Sequence, residues 1–305
     1  MTSEYNLKVI NFGDHVEVIK YGYLKQRVSG NNRPTNHERQ IRTEEEQEIY
    51  NFQQAQKIQR RIRYYCECND FDLFWTLTFD DEKVNAKDDE KVNAKDDEKV
   101  NAKDYEYAKK KLRAWLKYQR EKYGKFDYIF IPELHKNGRI HFHGITFGFS
   151  PPLIEARNPK TDKLIKKNGL QIYNAETWKD GFSTVSKIDS KAKTANYISK
   201  YITKDLIAIP SAYRQPKYFV SRGLKKPEIE FQQIDENELQ EFTPNFIVGN
   251  LYIEEQKFEK DVSIYLLELD DENKFFQKKK PETVVRSRLK SKNDENIENV
   301  SDENE

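Results

Sequence analysis

Two short stretches of this chain carry residue types that do chemistry. In FDYIFIPELHKNGRIHFHGITF, His141 and His143 are separated by a single residue. On a β-strand, positions i and i+2 share a face, so both imidazoles project together while Ile140 and Phe142 point the other way. Two parallel imidazoles are two ready metal ligands. In TANYISKYITKDL, Tyr197, Lys200, Tyr201 and Lys204 fall at i, i+3, i+4 and i+7. On a helix this spacing confines them to an arc of about 100°. A free phenol titrates near pH ~10 and is a poor nucleophile at neutral pH. A flanking ammonium favours the phenolate and neutralises a phosphate, so Tyr-x-x-Lys, here twice in tandem, is a sensible unit for attack on a phosphodiester. Each stretch also has a plainer reading. The histidines can be a satisfied surface pair, and the tyrosines can cover apolar surface beside solvated lysines.

The partner strand supplies a third ligand, and strand register decides which. A two-residue Asn137-Gly138 turn would set Leu134 across from His141, putting a leucine on the polar face. A three-residue loop, Lys136-Asn137-Gly138 with Gly138 left-handed, shifts the pairing by one. Glu133 then faces His141 and Leu134 faces Ile140, which sorts apolar from polar on both strands. The expected cluster is His141, His143 and Glu133, with His135 on the same face nearer the turn as a second candidate.

These side chains need elements to hold them. LFWTLTF (73–79) is β-branched and aromatic and reads as a strand. Residues 126–147 read as two strands around KNGR, and 170–174 and 182–188 as further strands. YEYAKKKLRAWLKYQREKY (105–123) has helical spacing of Tyr105, Ala108, Leu112, Trp115 and Leu116. Residues 191–207 read as one continuous helix that buries Ala195, Ile198, Ile202 and Leu206 and exposes the tyrosine–lysine face. Residues 36–66 read as a helix whose charge order, Glu44 to Glu48 early and Lys57 to Arg63 late, complements the helix dipole. The octamer DDEKVNAK occurs three times without change from Asp80 to Lys103. Its polarity gives no core pattern, so it reads as an expanded insertion without chemistry. The expected organisation is an N-terminal extension (1–66), a catalytic domain (67–227) carrying the 80–104 insertion, an accessory segment (228–270) and a disordered charged tail (271–305).

Composition narrows the partners. The chain has 305 residues, 36% hydrophobic and 34% charged, with formal net charge +1. The charge is uneven: residues 105–204 hold 21 Lys/Arg against 9 Asp/Glu. A basic middle suits a polyanion, usually nucleic acid. Lys109, Lys110, Lys111 and Arg113 are candidate backbone contacts, which would make binding salt-sensitive. Cys66 and Cys68 are too close for an ordinary disulfide and do not form a zinc knuckle. No secretory leader opens the chain and no apolar run spans a membrane, so the expected compartment is the cytoplasm. No G-x-x-x-x-G-K-[ST] loop is present, so no intrinsic ATPase is expected.

Together the segments are more specific than their parts. A threonine-bearing strand (WTLTF), then a His-Phe-His strand, then a Tyr-x-x-Lys helix resembles the HUH endonucleases, which include the rolling-circle replication initiators of plasmids and small phages. The tandem YISKYITK resembles the two-tyrosine initiators of circular single-stranded DNA phages, and tyrosines following the histidines match the initiator order. The resemblance spans roughly residues 70–225, and KYFVSRGLKKP (217–227) shares it without an assigned role. It implies an α+β fold, with a central antiparallel sheet of about five strands flanked by helices, as in the ferredoxin-like Rep endonuclease fold.

Carried residue by residue, it implies His141, His143 and Glu133 as ligands of Mg²⁺ or Mn²⁺. Tyr197 and Tyr201 become nucleophiles, Lys200 and Lys204 phosphate contacts, and Thr76 and Thr78 packing beneath the site. The implied substrate is single-stranded DNA at a replication origin, nicked through a 5′-phosphotyrosine bond, with a host helicase and polymerase as partners. Two departures from the pattern stand out. The octamer repeat follows the first motif directly, and the third ligand varies within the family. Rival readings are an HUH-type transposase, a non-catalytic DNA-binding protein with structural histidines, and a metallohydrolase that uses bound water. A covalent DNA adduct separates the tyrosine enzymes from the last two.

Overall fold

The computed structural model describes residues 2–28, 43–80, 104–135, 138–203, 206–207, 216–235, 237–249, 251–253, 256–258, 262–272 and 274–287. The chain forms two compact units, Gln40–Lys225 and a second built from Met1–Arg39 with Lys226–Glu305. Both are rich in antiparallel sheet, and the three helices fall in the first, giving an α+β protein.

The unit Gln40–Lys225 is organised around one sheet. Its strands are β1 (Leu73–Phe79), β2 (Asp127–Leu134), β3 (Ile140–Phe147), β4 (Ile154–Glu155), then a separate two-stranded hairpin of β5 (Lys166–Lys167) and β6 (Leu170–Gln171), then β7 (Tyr173–Asn174), β8 (Gly181–Lys187) and β9 (Phe219–Val220). The sheet order is β9-β2-β3-β1-β8-β7-β4, antiparallel throughout. Four long central strands are thus flanked by three two-residue strands, seven in all against the five expected.

Strand alternation separates two faces. On one, Trp75, Leu77 and Phe79 of β1, Phe130 of β2, and Ile140 and Phe142 of β3 join a buried cluster. Helix α2 (Tyr105–Tyr123) covers this face with Tyr105, Ala108, Leu112, Trp115 and Leu116. Asp104 caps its start by accepting from the Tyr107 amide at 2.9 Å, and Gly124 at φ 87° ends it, a left-handed position that glycine alone takes without cost. On the other face, Ile129, Ile131 and Ile145 meet two helices, α1 (Glu44–Cys68) and α3 (Lys191–Ser199). Ala55, Ile62 and Cys66 come from α1, and Ala195 and Ile198 from α3. The histidines lie on this second face.

Helix α1 starts at Glu44 and not at 36. Thr43 and Glu46 form a reciprocal capping box, Oγ1 accepting from the Glu46 amide at 3.2 Å and Oε2 accepting from the Thr43 amide at 2.9 Å. The signal T-E-E-E was present in the sequence. Helix α3 stops at Ser199 with Lys200 as its C-cap, well short of 207. Thr203 begins a new cap there, accepting from the Leu206 amide at 3.1 Å. Gln59 of α1 donates to the Ile202 carbonyl at 2.8 Å, so tertiary bonds replace the helical ladder.

In the second unit, Thr2–Asn11, Val16–Val28, Glu228–Gln232, Phe246–Gly249, Val262–Leu269 and Val284–Ser287 share a sheet. Leu7, Val16, Val18, Leu239, Tyr265 and Leu267 form its core. This differs from the linear division read from sequence. The N-terminal strands pair with C-terminal ones, and α1 packs in the other unit against α3. Residues 275–276 and 284–287 are strands, so the tail is ordered to Ser287. Its Val284-Val285 run pairs in parallel with Phe246-Ile247, a contact too distant in sequence to read. Residues 81–103 of the repeat, Lys204 and residues 288–305 lie outside the described residues.

Candidate active site

The register that sorted polar from apolar is the one observed. Glu133 pairs with His141 and Leu134 with Ile140, and Gly138 takes φ 82°. On the other side of β3, Thr76 pairs with His143 and Thr78 with His141. Four polar side chains from three strands therefore share the face beneath α3.

His143 is their hub. Its Nε2 lies 2.6 Å from Glu133 Oε2, and its Nδ1 lies 3.2 Å from Thr76 Oγ1. An ionised carboxylate only accepts, so the neutral ring carries its proton on Nε2 and takes the threonine hydroxyl's hydrogen at Nδ1. Thr76 thus positions the imidazole, a role beyond the packing expected from sequence. The Glu133 carboxyl is held below the usual carboxylate range, first by the His143 hydrogen bond and then by the charge of His143, His141 and His135, against the opposing effect of burial. His141 is pushed below the ordinary imidazole value, chiefly by burial and then by His135. The His135 and His141 rings stack at 4.9 Å. Glu133 is therefore ringed by three imidazoles.

The tyrosines reach this cluster in an unexpected way. Because α3 ends at Ser199, Tyr201 leaves the exposed helix face and turns inward. Its ring is 9% exposed and stacks on His143 with centroids 3.6 Å apart and planes 6° from parallel. Tyr197 remains on the helix, edge-on to Tyr201 at 5.6 Å and to Phe74 at 4.9 Å. Lys200 Nζ sits 4.0 Å from the centre of the Tyr197 ring and 5.4 Å from that of Tyr201. The ammonium thus covers ring faces and does not lower the Tyr201 phenol. Burial, the hydrogen bond to Tyr197 and the Glu133 charge instead raise that phenol well above its ordinary value. Phe74 and Gln59, which seat the two tyrosines, carried no sequence signal because they act through another element.

Two openings flank the tyrosines. A cavity of about 690 Å³ is lined by Glu133, His135, Lys200, Tyr201 and Thr203. A second, of about 390 Å³, lies on the far side of Tyr197 between Thr76, Thr184, Lys193 and the β5–β6 hairpin. Phosphate-sized groups can approach the phenols from both.

The donor types suit a hard or borderline divalent cation, one carboxylate held ionised and neutral imidazole beside it. No three His, Cys, Asp or Glu among the described residues stand arranged around a metal position. His143 Nε2 is engaged with Glu133, and ligation there requires its proton to move to Nδ1, where the Thr76 hydroxyl accepts as readily as it donates.

Helix α2 lies against the opposite face of the sheet, so Lys109, Lys110, Lys111 and Arg113 do not join the site. Lys109 pairs with Glu106 at 2.5 Å and Lys111 with Asp180 at 3.4 Å. Lys110 and Arg113 are exposed. No described helix is long and apolar enough to cross a membrane.

No curated protein and no solved structure matches the chain. Residues 72–206 match the family of replication-associated proteins of the ORF2 type. That stretch runs from the first threonine strand to the segment just beyond the second tyrosine, and over it the chain is similar to replication-associated proteins.

Proposed function

We propose that this protein initiates rolling-circle replication by nicking single-stranded origin DNA with a tyrosine. The observation that carries the reading is the stack of Tyr201 on His143, whose two ring nitrogens are already claimed by Glu133 and Thr76. A nucleophile type, a metal-ligand type and their positioning groups meet at one point of the sheet. The similarity of residues 72–206 to replication-associated proteins supports the same conclusion.

In this reading Glu133, His141 and His143 hold Mg²⁺ or Mn²⁺, with His135 adjacent. The ion supplies charge neutralisation at the scissile phosphate. One phenol oxygen forms a bond to phosphorus while the bond to the 3′ oxygen breaks. The phenol proton is lost, the 3′ oxygen gains one, and a 5′-phosphotyrosine remains. Lys200, above both rings, offsets the phosphate charge. Tyr197 and Tyr201 are close enough to act in turn, one cutting and the other resolving. The phenol nearest the imidazole, Tyr201, is assigned the first cut.

The test is adduct formation on labelled single-stranded origin DNA with Mn²⁺, using Tyr197→Phe, Tyr201→Phe and the double variant. Tyr201→Phe should abolish the first adduct, and mapping should find the label on Tyr201. Unchanged nicking by the double variant would exclude tyrosine chemistry and favour attack by water. A wild type that binds DNA with no adduct would favour a binding protein with structural histidines. A transposase would share the adduct and differ by joining the cut end to a new target.

A further inference from the structure

Helix α2 carries Arg113, Lys117 and Arg120 at i, i+4 and i+7. This spacing makes one stripe, about 10 Å long, beside the face that buries Leu116. The stripe walls a groove of about 670 Å³ whose other surfaces are Tyr128 of β2 and Tyr218 and Phe219 at β9. The Arg113 guanidinium stands 5.8 Å from the Phe219 ring centre. Lys125 adds a fourth cation, and among the described lining residues Glu121 is the one acid, 3.8 Å from Lys117. A row of cations facing partly exposed aromatic rings suits a partner with both phosphates and unstacked bases. Duplex DNA offers the phosphates but keeps its base faces covered, whereas a single strand offers both.

We infer that this groove binds the single-stranded DNA flanking the nick, on the side of the sheet away from the histidines. The inference rests on the proposed function for the kind of DNA present, and on the groove itself for the site. Tyr128 and Glu133 lie on one strand, five positions apart, about 17 Å at the strand rise. That is about five stacked nucleotides. The edge strand between them, β9, is only two residues long, so a polynucleotide can cross it. The floor also connects to the tyrosine segment. Tyr218 packs in the histidine-face cluster and accepts from Arg61 Nη1 at 3.3 Å. Its neighbour Lys217 donates to the carbonyls of Leu206 and Ile207 at 3.2 and 3.3 Å.

The experiment measures binding of the full-length protein to oligo-dT of about 6 and about 20 nucleotides, lengths that bracket the site of one small domain. Affinity is followed by fluorescence anisotropy over a range of salt. Removing three phosphate contacts in R113A/K117A/R120A should make the slope of log K against log salt shallower by about 2 for the long oligonucleotide. The short one should change little, because the histidine face alone accommodates it. Tyr128→Ala, a stacking loss, should weaken long-strand binding about tenfold at fixed slope. Circular dichroism establishes that each variant is folded. A triple variant with unchanged slope on the long strand overturns the groove, even where tyrosine adducts persist. Equal losses on both lengths also overturn it, since a general charge effect then suffices. Failure of the wild type to bind either oligonucleotide defeats the groove and the proposed function together. A wild type that binds both but forms no adduct leaves the groove standing and removes the nuclease alone.

Discussion

At the scale of single residues, the site depends on how one imidazole is held. His143 is buried, and its edge and face are taken by Thr76, Glu133 and Tyr201. A ring held at three points has one orientation, which a ligand or a stacking platform requires. Thr76→Val keeps the shape and removes the hydroxyl. It should lower adduct formation about 10- to 100-fold, in the range found for groups that orient metal ligands. Thermal denaturation should stay near the wild-type midpoint, and Thr76→Ser should restore much of the rate. Normal activity in Thr76→Val would make the 3.2 Å contact incidental. The pairing of Glu133 with His141 was legible beforehand because one register alone separates leucine from carboxylate on a pleated surface. The Thr76 contact was not, because it needs the neighbour order of three strands, and β1 enters that order from more than 60 positions upstream.

At the scale of elements, the sequence marked strands and helices well where one periodicity ran unbroken. The β1 alternation and the α2 stripe are of that kind. The tyrosine segment shows where such reading ends. Its aliphatic spacing fits a helix to Leu206, and Ala195, Ile198, Ile202 and Leu206 are indeed buried. Yet the ladder breaks at Lys200, because Gln59 takes the Ile202 carbonyl and Thr203 opens a new cap. The Gln59 bond comes from another helix, and the consequence is that Tyr201 faces the histidines instead of solvent. The sheet is equally exacting at Gly144. This residue pairs with Phe130 on the α2 face, and a Cβ there would lie 2.2 Å from the phenylalanine ring. Gly144→Ala must therefore push Phe130 out of the core it shares with Trp115. The expected cost is about 1–3 kcal/mol, the usual range for overpacking. Chemical denaturation should show it as a lower midpoint at constant slope, and Gly144→Ala combined with Phe130→Leu should recover part of it.

At the scale of the whole molecule, what stayed hidden was long-range closure. The strand Leu7–Asn11 pairs with Glu228–Gln232, and Phe246–Gly249 pairs with a strand of the charged tail. Composition windows cut the chain linearly, whereas these pairings join its ends. The tandem octamers raise the opposite question, of sequence that closure does not need. Three copies occupy 24 positions between β1 and α2. The flanking elements are already in contact, with the Phe79 and Tyr107 rings 6.3 Å apart. A connection of one copy can bridge so short a gap. A flexible connection costs closing entropy that grows as about (3/2)RT ln n, so shortening 24 residues to 8 should stabilise the fold by about 1 kcal/mol. Deletion of residues 88–103 should therefore raise the melting midpoint by about 2–4 °C in a domain of this size. The histidines and tyrosines lie on the opposite face of the sheet from α2, so adduct formation on origin DNA should be unchanged. A lower midpoint would mean that the copies make stabilising contacts of their own. A normal midpoint with lost adduct would place them at the DNA.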